Sequence, residues 1–287
     1  MYRSIEKIIS APPFHMVGDG FRVHNFIPGA VSMERMNPII MMDYNSKHYF
    51  PPTDNPRGVD VHPHRGFETI TIAYKGKIAH HDSKGNSGII GEGEVQWMTA
   101  ASGILHKEYH EKEFSKKGGD FQMVQLWLNL PAKYKMSEPK YQNLDKESIK
   151  KVSISEHSFV EIIAGEYDGV QGPASSFTPA LLMNAYVDKN DSCEIIPYSH
   201  HNTCMVVVEG SIIVNQASEV SKDQFVLFNN EEGRINILAK ENAIILIISV
   251  EPINEPIAAY GPFVMNTKQE LQEAFQDFQN GKFGVLN

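Results

Sequence analysis

"VHPHRGFETITIAYKGKIAHHDSKGNSG" (residues 61–88) combines the pattern of a β-strand with four histidines and a glutamate. Strands usually spend inward positions on Val, Ile and Leu, so imidazoles two residues apart need a reason. Successive strand side chains point to opposite faces, which places His62 and His64 on the same one. Pro63 lies between them and has no N–H for the ladder. That confines it to an edge strand, a bulge or a strand start. If the pair is half of a metal site, the other half must come from elsewhere in the chain.

A second pair stands in "GILHKEYH" (103–110), where His106 and Glu108 are again two apart and His110 continues the parity. Two strands, each contributing such a pair, gather three imidazoles and one carboxylate around one point. This N3O set suits Fe, Mn, Ni, Cu or Zn. The lack of thiolates speaks against a structural zinc knuckle. Four protein ligands on an octahedral ion leave two positions for water, substrate or dioxygen, the openness that a catalytic site needs. His80 and His81 precede the polar turn "DSKGNSG" and are expected at the surface. His110 is expected at a pocket rim or on the surface.

The 287 residues are 41% hydrophobic and 21% charged, ordinary for a folded protein, and long enough for one large β domain or two smaller ones. A formal net charge of −9 with interspersed signs argues against direct nucleic-acid binding. Two cysteines without a C-x-x-C spacing point to buried thiols in a reducing compartment. No secretory signal is evident, and the longest apolar run, "AIILIISV" (243–250), is too short to span a bilayer. A cytoplasmic protein that does not engage membranes is expected.

Short β-branched runs separated by Gly, Pro and Asn turns read as antiparallel sandwich or barrel strands rather than βαβ units. The polar segment 130–152 has no apolar periodicity and is expected to join two domains, 1–135 and 136–287. "ITIAYKG" in the first and "MVVVEG" in the second suggest two copies of one β-barrel. One helix is predicted at about 267–280. Thr267 and Glu270 form a capping box, Leu271, Phe275 and Phe278 an apolar face, and Gly281 the C-terminal stop.

The two metal-binding pairs also carry a resemblance. Gly58 to Gly76 resembles the first cupin motif, G…H-x-H-x3-E…G, with Glu68 in the glutamate position. Gly58 lies two residues nearer to His62 than usual, and Gly76 one residue further from Glu68. "GILH" (103–106) resembles the G-x2-H of the second motif, with Ala101 in place of the usual proline. "HPHRGFETITIAYKG" (62–76), "VQWMTAASGILHKE" (95–108), "FQMVQLWLNLPAKYK" (121–135) and "AYGPFVMNTKQELQEAFQDFQNGKFG" (259–284) resemble the pirin family over most of the chain.

The resemblance implies an all-β bicupin: two facing antiparallel β-barrel (jelly-roll) domains with a short C-terminal helix. It implies one mononuclear Fe(II) in the N-terminal barrel, held by His62, His64, His106 and Glu108, with Mn, Ni, Cu or Zn left open. Glu108 is preferred to Glu68 because it reaches the same point as His106; Glu68 then supports a ligand imidazole. In the second half "YSHHNTCMVVVEG" resembles a decayed first motif. His200 and His201 there are adjacent and diverge, so that barrel is expected to hold no metal. Pirins resemble quercetin 2,3-dioxygenases, which implies a flavonol, or another small enolizable aromatic, and dioxygen as substrates. Glu108 would then be the catalytic proton acceptor. Phe67, Trp97 and Met98 read as core rather than pocket wall. The family also contains metal-dependent regulators, so the second implied function is non-enzymatic binding of a transcription factor or a metabolic enzyme.

Overall fold

The computed structural model describes residues 1–286, and its regular structure is mostly antiparallel β-sheet, as expected. The chain forms two compact units. One comprises residues 13–34, 38–146 and the segment from 253 onward; the other comprises 1–12, 35–37 and 147–252. The expected division at 135/136 was linear, whereas these units interleave. Ile5–Ser10 is an edge strand beside Gln224–Phe228, and the C-terminal helix belongs with the unit built mainly from 38–146.

Each unit contains a seven-stranded and a four-stranded sheet. In the first unit the larger sheet runs from Lys140–Leu144 through Val95–Thr99, Phe67–Lys75 and Gly119–Asn129 to Ile39–Phe50, Phe21–Ile27 and His15–Val17. The smaller one is ordered Gly58–His64, Ile104–His110, Ile78–Asp82, Ser87–Ile90. The second unit repeats this plan, its small sheet being ordered Ser192–Ile195, Ile235–Ala239, Ser211–Val214, Ser218–Ser221. The short sequence echo between the halves thus reflects two copies of one cupin-type architecture. The repeat differs in what it buries: the second unit turns Cys193, Ile195, Ile235 and Ile237 into a Val/Ile core. Burial pushes the Cys193 thiol up to about 12 and the Cys204 thiol higher still, so both are inert packing groups.

The C-terminal helix spans Lys268–Gln279 with the Thr267–Glu270 capping box formed. Gly281 follows at φ +73°, a left-handed conformation that costs glycine little. Leu271 and Phe275 pack with Phe263, Ala274 and Phe283. Just before the helix, the hairpin Ala258–Tyr260/Phe263–Met265 runs against the backbone beside the first histidine pair. There Gly66, at φ +90°, leaves no room for a Cβ against the Val264 carbonyl. Lys135 pins this junction. It is buried, and its Nζ donates to the Gly66 carbonyl (2.7 Å), Asn129 Oδ1 (2.6 Å) and the Val264 carbonyl (2.9 Å).

His110 is neither rim nor surface. Its ring is buried among Phe21, Phe50, Phe114 and Phe121, and its Nε2 donates to the Gly20 carbonyl at 2.8 Å. Burial pushes its pKa down to about 4; Arg57 lowers it further, while the Gly20 carbonyl and Asp19 oppose.

Two predictions test these packing arguments. Lys135→Met leaves three buried oxygens without their shared donor, and denaturant melts should show a loss of about 3 kcal/mol. For His110, the unfolded state binds a proton near pH 6.5 that the folded state accepts only near pH 4. Its contribution is therefore complete above pH 6.5 and is lost as pH falls towards 4, up to about 3 kcal/mol. Unfolding free energies of His110→Gln should fall less steeply over that interval than those of the parent protein; equal slopes would remove His110 as the cause.

Candidate metal centre

The centre is built on the small sheet of the first unit. Gly58–His64 is the edge strand of that sheet, the kind of position that Pro63 demanded. It pairs with Ile104–His110 so that His62 lies opposite His106 and His64 opposite Ile104. Between His106 and Glu108 the register shifts, and Glu108 lies opposite Val59 rather than Asp60. The extra residue in the edge strand is a bulge, and bulges re-aim side chains next to functional sites.

Three imidazoles converge. Ring centroids are 4.2 Å apart for His62–His106, 4.7 Å for His64–His106 and 4.8 Å for His62–His64. His62, His64 and His106 each offer a nitrogen within 4.8 Å of the others. His62 Nδ1 is 2.8 Å from the Asp60 carbonyl, and His64 Nδ1 is 3.4 Å from the Pro262 carbonyl. A carbonyl only accepts, so both Nδ1 atoms carry the proton and both Nε2 atoms keep a lone pair. His106 Nε2 is buried with no hydrogen-bond partner. Burial pushes His64 and His106 well below the ordinary imidazole pKa. His62 adds to this at His64, as do His64, His62 and His80 at His106. His64 and His106 are therefore neutral near pH 7, the form in which imidazole binds a metal. An orphaned, buried nitrogen among convergent lone pairs is what a cation would satisfy.

Glu108 stands beside this triad rather than inside it. It groups with His106 and His80. Its Oε1 accepts from Gln96 Nε2 at 3.1 Å and from the Thr71 hydroxyl at 3.4 Å, and its Oε2 from Gln125 Nε2 at 2.8 Å. These three donors form one rung of the large sheet, because Thr71 pairs with both Gln96 and Gln125. Cross-strand partners share a face, so all three point towards Glu108.

The same parity removes Glu68. Thr71 faces Glu108 from the strand Phe67–Lys75, so Glu68, three residues away in that strand, lies on the opposite face. There it accepts a hydrogen bond from Thr99 Oγ1 at 2.7 Å. Its even number, shared with His62 and His64, carries no information, because the turn at Gly66 separates the two strands.

One expectation about the other histidines changes. His80 is fully buried, not exposed: the small sheet pairs Glu108 with His80 and His106 with Asp82, bringing all four to the face that carries the site. His81 points the other way and is only partly covered. In the second unit His201 is buried and bonds Ser249 Oγ at 3.2 Å, while His200 is exposed.

The centre opens into a cavity of about 340 Å³, within the usual range for small-molecule pockets. Phe21, Met41, Met123 and Trp127 supply apolar walls, and His62, His64, Glu108 and Gln125 a polar end. Phe67, Trp97 and Met98 are buried core residues, as expected; Phe67 stacks behind Trp127 at 4.2 Å. Trp127, Gln125 and Met123 were not singled out from the sequence. Their alternation in "MVQLW" was the available signal, since it puts all three on one face of a strand. Asp43 also lines the cavity, and burial raises its pKa.

The chain matches two family profiles, described as Pirin over residues 20–128 and Pirin C-terminal cupin domain over residues 182–284. A Pseudomonas aeruginosa protein with the provisional name quercetin 2,3-dioxygenase is 41% identical over 270 residues, 94% of either chain. A pirin-like protein of Solanum lycopersicum is 35% identical over 93% of this chain and 88% of its own. The crystal structure titled quercetin 2,3-dioxygenase from Acinetobacter baumannii superposes with a TM-score of 0.94 at 40% identity, over 100% of both chains. On sequence, fold and domain order together, the chain belongs to the pirin family.

Proposed function

We propose that the cavity is the active site of a metal-dependent dioxygenase that opens the central ring of flavonols of the quercetin type. The observation that carries this is the unpartnered Nε2 of His106, buried beside His62 and His64 at the end of an aromatic-walled cavity. The names carried by relatives at about 40% identity support the same reading.

His62, His64 and His106 would hold the ion through Nε2, and Glu108 would complete an N3O set. That set fits Fe(II), our assignment, and equally accepts Mn, Ni, Cu or Zn. When bound, the ion supplies Lewis acidity to a substrate oxygen and a place for dioxygen. The remaining work falls to the protein. Phe21 and Trp127 flank a planar substrate, and the methionines adapt to its edges. The apolar walls exclude water around the reacting ring. Glu108 takes the proton of the 3-hydroxyl group, held ready by the amides of Gln96 and Gln125.

The test is flavonol-dependent oxygen uptake by iron-loaded protein. His62→Ala and His106→Ala should each reduce uptake at least about 100-fold. Full iron occupancy without uptake across a panel of flavonols and catechols would instead favour the non-enzymatic, partner-binding reading. Elemental analysis separates the carboxylates: Glu108→Ala should lose more metal than Glu68→Ala, and the reverse order would sink the choice of Glu108.

A further inference from the structure

A connected set of buried polar side chains lies behind the candidate ligands, away from the cavity. Asp82 Oδ2 is 3.5 Å from His80 Nε2, and His80 Nδ1 is 3.4 Å from His106 Nδ1. Gln96 Nε2 sits 3.1 Å from His80 Nδ1 and also 3.1 Å from Glu108 Oε1. Tyr141 stacks on the His80 ring, with centroids 5.1 Å apart and planes at 13°, and fixes its orientation. Asp82, His80, Gln96 and His106 are all nearly inaccessible to solvent.

Proton positions in this set follow from what each atom can accept. Asp82 accepts from the Lys84 and Asn86 backbone N–H groups and the Asn86 side chain. Burial alone would raise its pKa, but these bonds and the His80 ring hold it below the usual carboxylate range. A carboxylate only accepts, so the geometry assigns a proton to the His80 nitrogen that faces it, Nε2. Gln96 Nε2 only donates, so His80 Nδ1 is the acceptor, its single lone pair shared between the Gln96 amide at 3.1 Å and His106 Nδ1 at 3.4 Å. His106 must then place its own proton on Nδ1, which leaves Nε2 bare. That is the atom found buried without a partner beside His62 and His64. A backbone carbonyl settles the tautomer at His62 and at His64; at His106 no carbonyl does so, and His80 stands in that place.

We propose that His80, backed by Asp82, is a positioning residue that locks the tautomer and ring orientation of His106, while Gln96 ties the same acceptor to Glu108. His80 donates nothing to the cavity and acts only through His106. A partner of this kind orients a metal-binding imidazole and increases its basicity, and its loss typically costs about 10–100-fold in metal affinity. This inference rests on the metal reading above.

The experiment is Co(II) titration of the full-length protein after chelator treatment, following affinity by competition and coordination by the d–d absorption bands. His80→Phe keeps a ring against Tyr141 but removes the acceptor. It should weaken Co(II) binding about 10–100-fold and shift the bands, with apo-protein melting close to the parent. His80→Gln restores an acceptor and should recover most of the affinity. Asp82→Asn should weaken binding in the same direction and carries the test if His80→Phe does not fold. Parent-like affinity and spectrum in folded His80→Phe, or in Asp82→Asn where that variant carries the test, would overturn the proposal. So would a Gln variant no better than Phe. Two Co(II) per parent chain falling to one in His80→Phe would overturn it differently, by making His80 a ligand. A parent protein that binds no Co(II) at all would remove the metal reading together with this inference.

Discussion

The pairing of Gly58–His64 with Ile104–His110 is the constraint on which the centre depends. Each strand alone carries two polar side chains on one face, with no means of bringing them together. Antiparallel register places His62 opposite His106, and the bulge beyond them lets Glu108 stand opposite Val59. A slip of one residue would turn every one of these side chains to the other face. Register is protected by the apolar residues that share the unit's core, including Phe21, Ile78 and Phe121. Ordinary hydrophobic packing thereby sets the geometry of a polar site.

Burial of so many polar groups is costly unless each has a partner. The fold answers with cross-strand rungs. Gln96, Thr71 and Gln125 form one beneath Glu108, and in the small sheet Asp82 pairs with His106 and His80 with Glu108. Backbone carbonyls of Asp60 and Pro262 take the protons of His62 and His64. Of the three converging imidazoles, His106 has a buried nitrogen left without a partner, its Nε2. The desolvation that makes an isolated polar group expensive also keeps His64 and His106 neutral, and so suited to a cation.

The two units show how one architecture is specialised. Both stack a four-stranded sheet of the same order beside a seven-stranded one. In the second unit the strands matching Gly58–His64 and Ile104–His110 carry Cys193, Ile195, Ile235 and Ile237 inward, and the interior is closed by Val and Ile. In the first, the C-terminal segment returns to finish the site. Pro262 reaches His64, and Lys135 fastens the hairpin that carries it. Residues distant in the chain are therefore structural neighbours of the candidate ligands.

Much of this was legible in the residues themselves. Period-two spacing disclosed the His62/His64 and His106/Glu108 pairs, because strand geometry fixes which side chains share a face. Strand-rich patterning between Gly and Asn turns implied antiparallel all-β units, and the Thr267–Glu270 box marked the helix start, since both signals are local. The sequence alone thus determined the element types, the repeat and the two candidate halves of the metal centre. Tertiary structure decided what depends on pairing across the chain. Glu68 shares a number parity with the candidate ligands yet faces away, because the turn at Gly66 resets the alternation. His80 resembles a surface histidine beside a polar turn, yet cross-strand register places it behind His106. Register between strands is set by the whole core rather than by neighbouring residues, and no local pattern contains it.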